Sequence, residues 1–250
     1  MPLSSDVSVV IPVHNGTAFI AAAVDSVLAQ NESSVTVAQV IVVDNNSTDG
    51  TGDLLRELIA SRWGDRVTAV SETRPYAANA RNSGARLATS VWLAFLDADD
   101  LWLPGKLARQ MEAAAQHPEA SLFFTLGEEF YSEEMGSEEQ SRLACRAQPY
   151  PMMTPTSLVL LRDVFEQVGG FPDVSSGEFV AWFGWARELG LEEFVVPEVL
   201  TRRRIHATNT TRGKAAMAGY PLAAKWLLDR RRQVRLQAQL KDQSGAEVAS

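Results

Sequence analysis

The sequence predicts a single α/β domain with a mostly parallel central sheet flanked by helices. Four short apolar runs rich in β-branched residues fall within the first hundred residues, and each is bounded by turn residues. These runs are continuous rather than alternating, as expected of strands that are buried on both faces. Helical patterns lie between them, and the alternation of strand and helix is typical of parallel βαβ units. The predicted strands are Val7–Val13, Val37–Val43, Val67–Val70 and Val91–Leu96.

Helical patterns separate the predicted strands and continue after them. Pro104 suits the first turn of a fourth helix, because an N–H at that position has no intrahelical partner. Ser121–Tyr131 is predicted as a further strand, and six glutamates between 128 and 139 predict a mobile flap, because like charges repel. Ser244–Ser250 is expected to be a frayed tail. The predicted helices are Ala18–Gln30, Thr51–Arg62, Ala77–Thr89 and Pro104–His117, with further elements at Ser157–Val168, Gly177–Leu189 and Gly213–Leu240.

Length and composition suit a protein with one sizeable core. The 250 residues are 46% apolar and 22% charged, which is ordinary for a globular domain. The single cysteine, Cys145, excludes an internal disulfide framework and a cysteine-based zinc cluster. The start, MPLSSDVSVV, lacks the pattern of a signal peptide, and no apolar run approaches the roughly 20 residues that span a bilayer. We therefore expect a cytoplasmic protein.

The net charge of −8 is unevenly distributed along the chain. Residues 1–201 carry 12 Lys and Arg against 28 Asp and Glu, whereas residues 202–241 carry 11 Lys and Arg against Asp229 alone. An acidic body excludes a general nucleic-acid binder. The basic segment suits phosphate, an acidic partner or an anionic membrane surface, or is a solvated helix. Peripheral membrane contact and homodimer formation through this C-terminal helix both remain open.

Carboxylates follow the fourth predicted strand directly. Asp97, Asp99 and Asp100 lie within four residues, and burying so many acids is costly unless a positive group binds them. Asp97 and Asp99 are two residues apart and can project to the same side of an extended segment. Such oxygen ligands suit Mg²⁺ or Mn²⁺, which share their remaining positions with phosphates and water. Alternatively, these acids cap the helix that begins near Pro104.

Two more polar clusters end predicted strands. Asp44 ends the second strand, where it can accept hydrogen bonds from a base or a ribose, and His14 follows the first strand. In parallel sheets the carboxyl ends of the strands meet at one edge, which is where ligands bind. All three clusters therefore fall at the same edge, and the sequence predicts a crevice there for a ligand carrying a diphosphate.

Five segments in order resemble the inverting glycosyltransferase family 2, which has the GT-A fold. Each segment is short, but their order and spacing over roughly the first 170 residues make the resemblance specific. It implies a nucleotide-binding, Rossmann-like half followed by an acceptor-binding half. The segments are VSVVIPVHN (7–15), VIVVDNNSTDGT (40–51), ANARNSGARLA (78–88), WLAFLDADD (92–100) and LVLLRDVFEQVGGF (158–171).

The resemblance implies how a nucleotide-sugar is bound. Asp97-Ala98-Asp99 matches the family's Asp-X-Asp motif, so Asp97 would contact the ribose and Asp99 would ligate the metal. Asp44 would recognise the base. Pro12 and His14 would line the nucleotide pocket, although the family usually has Tyr at the position of His14.

The resemblance also implies residues around the diphosphate and the metal. Arg81 would lie close to the nucleotide or the donor. The segment 201–209 resembles the family's C-terminal segment that closes over the diphosphate, with Arg204 binding phosphate and His206 completing the metal shell. The expected metal is Mn²⁺ or Mg²⁺, and the expected donor is a UDP-sugar in preference to GDP or dTDP sugars.

The general base departs from the family's pattern. Members carry a Glu-Asp pair at the start of a later helix, and the Asp deprotonates the acceptor hydroxyl. Here the pair reads Glu178-Phe179. We favour Glu178 as the catalytic base, and Asp173 is the alternative. Glu178 could equally be an acid favoured at a helix N-terminus by the macrodipole.

The predicted organisation is a glycosyltransferase domain over residues 1–212, divided at 103 into a nucleotide-sugar half and an acceptor half, followed by a basic helix and tail at 213–250. The acceptor is a sugar, a lipid-linked compound, a small molecule or a peptide. One alternative is a catalytically degenerate protein that binds a nucleotide-sugar or a partner. A nucleotidyltransferase is less favoured, because Pro12–Gly16 has one glycine and no Lys or Arg to form a phosphate loop.

Overall fold

The computed structural model describes residues 5–30, 34–209 and 218–248, the last twelve by their backbone alone. These residues form nine strands and eight α-helices around one sheet, which confirms the predicted α/β fold class. The strands are β1 (Asp6–Val13), β2 (Thr36–Asp44), β3 (Val67–Ser71), β4 (Trp92–Phe95), β5 (Leu101–Trp102), β6 (Ala120–Tyr131), β7 (Tyr150–Pro151), β8 (Val159–Leu161) and β9 (Glu192–Ile205). The helices are α1 (Ile20–Leu28), α2 (Thr51–Leu58), α3 (Ala77–Leu87), α4 (Lys106–Gln116), α5 (Ser137–Arg142), α6 (Arg162–Val168), α7 (Glu178–Glu188) and α8 (Tyr220–Val248).

The sheet has the order β3-β2-β1-β4-β8-β6-β9-β5, and β7 pairs with β6. The first four of these strands are parallel, as predicted. The second half is mixed, because β8 lies antiparallel between β4 and β6, while β6 and β9 are parallel to each other. Since β1, β2 and β4 are parallel neighbours, their carboxyl ends lie side by side. That edge is where the three polar clusters of the sequence meet.

Alternate residues of the central strands serve two separate cores. Val9 and Ile11 pack with α1 and α4 on one face of the sheet, whereas Val10 packs with α3 and α7 on the other. All three are fully buried, which explains why the strand sequences are continuous apolar runs. The second core is rich in aromatic rings from α6 and α7.

Helix α3 lies directly on β1 and β2 because residue 84 is glycine. A Cβ at Gly84 would lie 2.4 Å from Cγ1 of Val10 and 3.1 Å from Cγ2 of Val43. Both distances are shorter than ordinary van der Waals contact. This close approach sets the position of Arg81, one turn earlier on the same helix.

The predicted acidic flap is wrong for its first two glutamates. Strand β6 continues to Tyr131, and Glu128 and Glu129 lie opposite arginines of β9. Glu128 accepts a hydrogen bond from Nε of Arg202 at 2.7 Å, and Glu129 accepts one from Nη1 of Arg203 at 3.2 Å. The cross-strand cations offset the repulsion between the acids. Two later glutamates of the run begin the short helix α5.

Two C-terminal elements also differ from the sequence prediction. The long strand β9 was not predicted, and it carries Pro197 at a point where its pairing with β6 shifts register. Proline is tolerated in a sheet at such a bulge, since no ladder hydrogen bond is lost there. Helix α8 continues to Val248, past Ser244, where a frayed tail was expected. The predicted start of this helix, Gly213, lies outside the described residues. No helix in the described part of the chain has the length and apolar character needed to span a membrane.

Candidate functional site

The loops after β1 and β2 are tied together at the edge of the sheet. Nδ1 of His14 lies 2.7 Å from the carbonyl oxygen of Asn45, so it carries the proton and donates. Nε2 of His14 lies 3.3 Å from Nδ2 of Asn15, which can only donate, so Nε2 accepts. The imidazole is therefore held in place at both of its nitrogens. Pro12 is buried beside it and pairs in register with Val43 of β2.

Asp49 forms a second tie between the same loops. It accepts hydrogen bonds from the backbone N–H groups and the hydroxyls of Thr17 and Thr51. Burial by itself raises the pKa of Asp49, but these hydrogen bonds outweigh it and lower the pKa to about 2. Sequence analysis did not single out Asp49. The Asn-Ser-Thr-Asp composition of the turn was the only signal for it.

Asp44 ends β2 and is half-buried, as the sequence predicted. Its Oδ1 accepts a hydrogen bond from the N–H of Ser47 at 3.1 Å. The next residue, Asn45, is buried and its Nδ2 donates to the carbonyl oxygens of Glu72 at 2.8 Å and Arg74 at 2.6 Å. The loop after β3 is thus fixed beside Asp44. These segments therefore lie together at the carboxyl edge of the sheet.

Arg81 is buried at the centre of the site. Its Nη2 donates to Oδ1 of Asp97 at 2.5 Å and its Nη1 donates to Oε1 of Glu178 at 2.9 Å. Burial lowers the pKa of Arg81, but the two carboxylates outweigh burial and raise it overall. Within the described residues, Nε of Arg81 has no hydrogen-bond partner. The guanidinium therefore joins the loop after β4 to the start of α7.

The start of α7 separates Glu178 from its neighbour Phe179. Gly177 caps the helix at φ +77°, a left-handed conformation that glycine adopts without strain. Glu178 then points to Arg81, whereas Phe179 is buried among aromatic rings and stacks on Phe183 at 5.7 Å between centroids. Asp173, the alternative base, accepts a hydrogen bond from Nδ2 of Asn79 at 2.7 Å.

The aromatic side chains of α7 belong to the second core. Trp182 is fully buried and donates from Nε1 to the carbonyl oxygen of Gly169 at 2.6 Å. Trp185 is 5% exposed. Trp182 and Trp185 are therefore core residues in the described structure and do not line an open groove.

The acidic loop after β4 is anchored from both sides. The N–H of Asp97 donates to Oγ1 of Thr156 at 3.0 Å, and Oδ1 of Asp100 accepts from the N–H of Arg204 at 3.0 Å. Asp100 is buried, and burial together with the neighbouring charges of Asp99 and Asp97 raises its pKa well above the usual value. The loop is thus built into the fold, and Asp97 and Asp99 are its two more accessible acids.

Asp99 meets His206 across the end of β9. Nε2 of His206 lies 2.9 Å from Oδ2 of Asp99, and Nδ2 of Asn209 donates to the same oxygen at 3.2 Å. Nδ1 of His206 lies 2.9 Å from Oγ1 of Thr208. Its ring also packs on Phe19, with 4.7 Å between centroids. The predicted pair of metal ligands is therefore brought together from residues 107 apart in sequence.

Arg204 lies beside this pair. Its Nε donates to the carbonyl oxygen of Asp99 at 3.0 Å. Its guanidinium carbon lies 5.0 Å from the ring centroid of Phe19 and 4.7 Å from that of Phe130, one favourable cation–π contact with each ring. Arg204 is thus a positioned cation next to the acidic loop. Neither aromatic partner was singled out in the sequence, because both are distant from Arg204 along the chain.

The donor chemistry of Asp99 and His206 fits one part of a divalent metal shell. Within the described residues, no group of three or more His, Cys, Asp and Glu side chains is arranged to hold a metal ion. A carboxylate oxygen and an imidazole nitrogen that already lie 2.9 Å apart supply two ligands. Mg²⁺ and Mn²⁺ sites commonly take their other ligands from phosphates and water. The residues present therefore fit a metal that is shared with a diphosphate.

A parallel half-sheet with polar loops at its carboxyl edge defines this chain as an α/β protein of the kind that binds ligands at that edge. The family follows from comparison with known proteins. The chain belongs to glycosyl transferase family 2, whose model matches residues 8–169. Curated relatives are longer, and the chain spans about a third to two-thirds of the length of the first three that it matches.

Named relatives and solved structures agree with this membership. The chain is 32% identical over 105 residues to the Escherichia coli UDP-Glc:alpha-D-GlcNAc-diphosphoundecaprenol beta-1,3-glucosyltransferase WfaP, covering 42% of this chain and 39% of that protein. Its fold is similar to S. aureus TarS 1-349 in complex with UDP-GlcNAc, with TM-score 0.61, 16% identity and coverage of 85% and 61%. It is also similar to the Pyrobaculum calidifontis mannosyltransferase PcManGT in complex with GDP-Man and Mn2+, with TM-score 0.61, 21% identity and coverage of 81% and 58%. The predicted GT-A fold is confirmed.

Proposed function

We propose that this chain transfers a sugar from a nucleoside-diphosphate sugar, UDP-sugars favoured, to an acceptor hydroxyl with inversion at the anomeric carbon. The observation that carries the proposal is the convergence of Asp97, Asp99, Arg81, Glu178 and His206 at one edge of the sheet. Family membership supports transfer from an activated sugar. A structural neighbour that was solved with UDP-GlcNAc supports the UDP series.

The nucleoside is proposed to lie in the crevice beside β1 and β2. Asp44 accepts hydrogen bonds from the base, and Pro12 and the ring of His14 line the pocket. Asp97 accepts a hydrogen bond from the ribose while Arg81 holds its other oxygen. Since the loops that carry these groups are tied to one another, the pocket is largely formed before the donor arrives, which lowers the entropy that binding must offset.

Asp99 and His206 are proposed to hold Mn²⁺ or Mg²⁺, with Arg204 beside them. A divalent metal supplies charge neutralisation of the diphosphate leaving group, a large share of catalysis in such reactions. Arg204 contributes a further positive charge at the same place. A structural neighbour that was solved with GDP-Man and Mn2+ supports this assignment.

Glu178 is proposed as the general base. Its Oε1 accepts a hydrogen bond from Nη1 of Arg81 at 2.9 Å, which holds the side chain at the start of α7. The carboxylate is 17% exposed, so an acceptor hydroxyl can reach it. In this mechanism the acceptor oxygen loses its proton to Glu178 and attacks the anomeric carbon from the face opposite the diphosphate.

The acceptor is proposed to be lipid-linked, the class named for the E. coli relative, and its site is assigned to residues 104–212, opposite the donor half at 1–103. The remaining residues, 213–250, are proposed to be a basic appendage, of which Tyr220–Val248 form α8. An acceptor screen tests this proposal, with sugar, small-molecule and peptide acceptors compared with lipid-linked ones. A screen in which only a water-soluble acceptor is glycosylated would reject the lipid-linked class.

Calorimetric titration tests the donor site. UDP, GDP, dTDP and their sugar conjugates are titrated with Mn²⁺ and again with EDTA. We expect metal-dependent binding of the UDP series, lost in Asp99→Ala and retained in Asp163→Ala, a carboxylate that is 89% exposed on α6. Absence of binding by every nucleotide, with and without metal, would reject the proposed function.

A second candidate function follows from Phe179. The family's usual base is missing, and the ring that replaces it is 8% exposed within the second core. A chain with this change could bind a nucleotide-sugar, or a partner, without turnover. Release of UDP from a UDP-sugar in the absence of acceptor separates the two functions, because a competent transferase passes some sugar to water and a binding protein does not.

A further inference from the structure

Exposed apolar side chains are concentrated on α8. Within the described residues ten large apolar side chains are exposed, and half of them lie on this helix. Single exposed apolar residues are ordinary, whereas a cluster of them marks an interaction surface. Val180, 57% exposed, lies on α7, the helix against which α8 packs. The five on α8 are Tyr220, Leu222, Leu228, Val234 and Leu236.

One side of α8 is already occupied by the body of the protein. Ala223 is buried there, and Trp226 and Leu227 pack against the second core. Arg230 is on the same side, with its guanidinium carbon 5.0 Å from the ring centroid of Trp226. These contacts fix which way the helix faces, so that the opposite side is turned to solvent.

The solvent side combines leucines with cations. At about 100° per residue, three leucines fall within about 120° of arc on the side away from the body. Lys225 and Arg232 fall in the same arc together with Asp229, Arg235 borders the arc, and Arg231 lies about 60° outside it. Lys and Arg can extend along an apolar surface and keep their charges in the headgroup region. The leucines are Leu222, Leu228 and Leu236, which are 50% to 58% exposed.

The face keeps a net positive charge although Asp229 lies within it and Glu188 of α7 lies close to it. Asp229 pairs with Lys225 at 3.2 Å and with Arg232 at 3.8 Å, and Glu188 of α7 pairs with Arg231. Four cations therefore face two carboxylates. Residues 1–201 carry the opposite sign, with 28 Asp and Glu against 12 Lys and Arg. An anionic surface would thus attract this helix and repel the body.

We infer that the outward face of α8 is a docking surface for an anionic lipid bilayer. Apolar side chains interleaved with cations suit the boundary between lipid headgroups and acyl chains. The opposite charges of helix and body orient the docked molecule, because only the helix side is drawn to a negative surface.

The start of α8 lies close to the proposed catalytic base. The N–H of Gly219, just before α8, donates to Oγ of Ser176 at 2.9 Å. The ring of Tyr220 lies 3.3 Å from where a Cβ on Gly177 would be. The helix therefore begins beside Glu178. Docking in this way brings a membrane-anchored acceptor to the proposed base, and in this respect the inference rests on the proposed function.

Vesicle co-sedimentation tests the inference on the full chain. Vesicles of phosphatidylcholine alone are compared with vesicles containing about a third phosphatidylglycerol, at low and high salt. We expect binding to the anionic vesicles only, weakened at high salt because the charges are screened. Equal binding to both compositions, or binding to neither, would overturn the inference.

Variants locate the binding surface. The double change Leu222→Glu and Leu228→Glu is expected to weaken binding to anionic vesicles by at least about tenfold, since it removes apolar area and adds like charge. Leu87→Glu is the matched control, because Leu87 is 47% exposed on α3, and it should bind as the unaltered protein does. Equal loss in both variants, or in neither, would assign vesicle binding to another surface.

Two further measurements separate this inference from its alternatives. Light scattering reports the mass in solution. If the unaltered protein is a dimer that does not bind vesicles, and the double change Leu222→Glu and Leu228→Glu dissociates it, the partner of this face is a second copy of the chain and not a bilayer. UDP titration of the same variants should be unchanged. A protein that binds vesicles through α8 but no nucleotide would retain this surface and lose the proposed function, so the two failures are distinguishable.

Discussion

Arg81 donates a hydrogen bond to Glu178, which lies 97 residues further along the chain. The same guanidinium holds Asp97, so that one buried cation serves two carboxylates on different elements. The position of Arg81 is fixed because Gly84 lets α3 lie directly on the sheet. It also means that the proposed base is fixed by a residue that the sequence analysis assigned to the donor.

The first prediction concerns removal of this cation. Arg81→Gln leaves Asp97 and Glu178 without their shared partner, and breaking a mostly buried ion pair costs about 3–5 kcal/mol. We expect the free energy of unfolding in urea to fall by about that amount, together with UDP binding. Arg56→Gln is the control, because Arg56 and Asp53 are both largely exposed and such pairs contribute about 0–1 kcal/mol. An Arg81 variant as stable as the control would contradict a structural role for the bridge.

The second prediction concerns the base. Glu178→Gln keeps an oxygen for Arg81 but cannot accept a proton, so we expect UDP release from the donor to fall by about 10²–10⁴-fold with donor binding retained. Asp173→Asn should turn over as the unaltered protein does. The reverse result, with Asp173→Asn inactive and Glu178→Gln active, would move the base to Asp173.

The third prediction concerns the position at which the family's usual acid is absent. Phe179→Asp would place a carboxylate among Phe124, Phe171 and Trp182. Loss of the ring and burial of the acid both destabilise, so we expect the free energy of unfolding to fall by about 3–5 kcal/mol without any gain in UDP release. Val180→Asp, on the exposed side of the same turn, is the control. A faster enzyme from Phe179→Asp would show that α7 can rotate.

The fourth prediction concerns pH. Lys106 is fully buried, its Nζ donates to Gln110 at 2.8 Å, and burial lowers the pKa of Lys106 well below its usual 10.5. Between the folded pKa and 10.5 the unfolded chain binds more protons, so the free energy of unfolding rises with pH. Relative to Lys106→Met, the unaltered protein should gain up to about 1.4 kcal/mol per pH unit in that window.

Urea unfolding over a series of pH values measures this effect. Lys225→Met is the control, because Lys225 is 73% exposed and should not alter the slope. Parallel pH profiles for the unaltered protein and Lys106→Met would contradict the prediction.

The fifth prediction concerns Gly84. A methyl group at this position would overlap Val10, so Gly84→Ala should lower the free energy of unfolding by about 1–3 kcal/mol despite the better helix propensity of alanine. Gly136→Ala is the control, since nothing lies within 4 Å of a Cβ there and its φ is negative. Thermal unfolding of both variants measures the difference, and equal midpoints would refute the close approach of α3 to β1.

The parallel half of the fold could be predicted because its signals are local. Strand β4, β1 from Val7 onward and β2 from Val40 to Val43 are buried on both faces, so their sequences are largely apolar runs. Strand β9 could not be predicted in this way. It is half-exposed, contains Pro197, and has three arginines just before its last residue, Ile205. It forms by pairing with β6, which is distant in sequence. The pairing of Glu128 with Arg202 likewise exists only once distant strands are side by side.

The site shows the same division. Asp44, Asp97 and Asp99 follow strands directly, so their shared edge follows from the parallel order of the sheet. The resemblance supplied His206, and the structure places it against Asp99. The link from Arg81 to Glu178 had no local signal, because it depends on how α3 and α7 pack. Their roles in binding and catalysis remain predictions for the experiments above.

The bridge at Arg81 has a consequence for engineering. Asp97 belongs to the loop after β4 and Glu178 to the start of α7, and both are held by one side chain of α3. A chimera that joins the first hundred residues of this chain to the second half of a relative would place Arg81 opposite a foreign helix start. Unless that helix begins with an acid at the position of Glu178, the hybrid leaves Arg81 with Asp97 as its remaining carboxylate partner. Recombination between relatives should therefore be designed around the arginine and its two acids as one inherited unit.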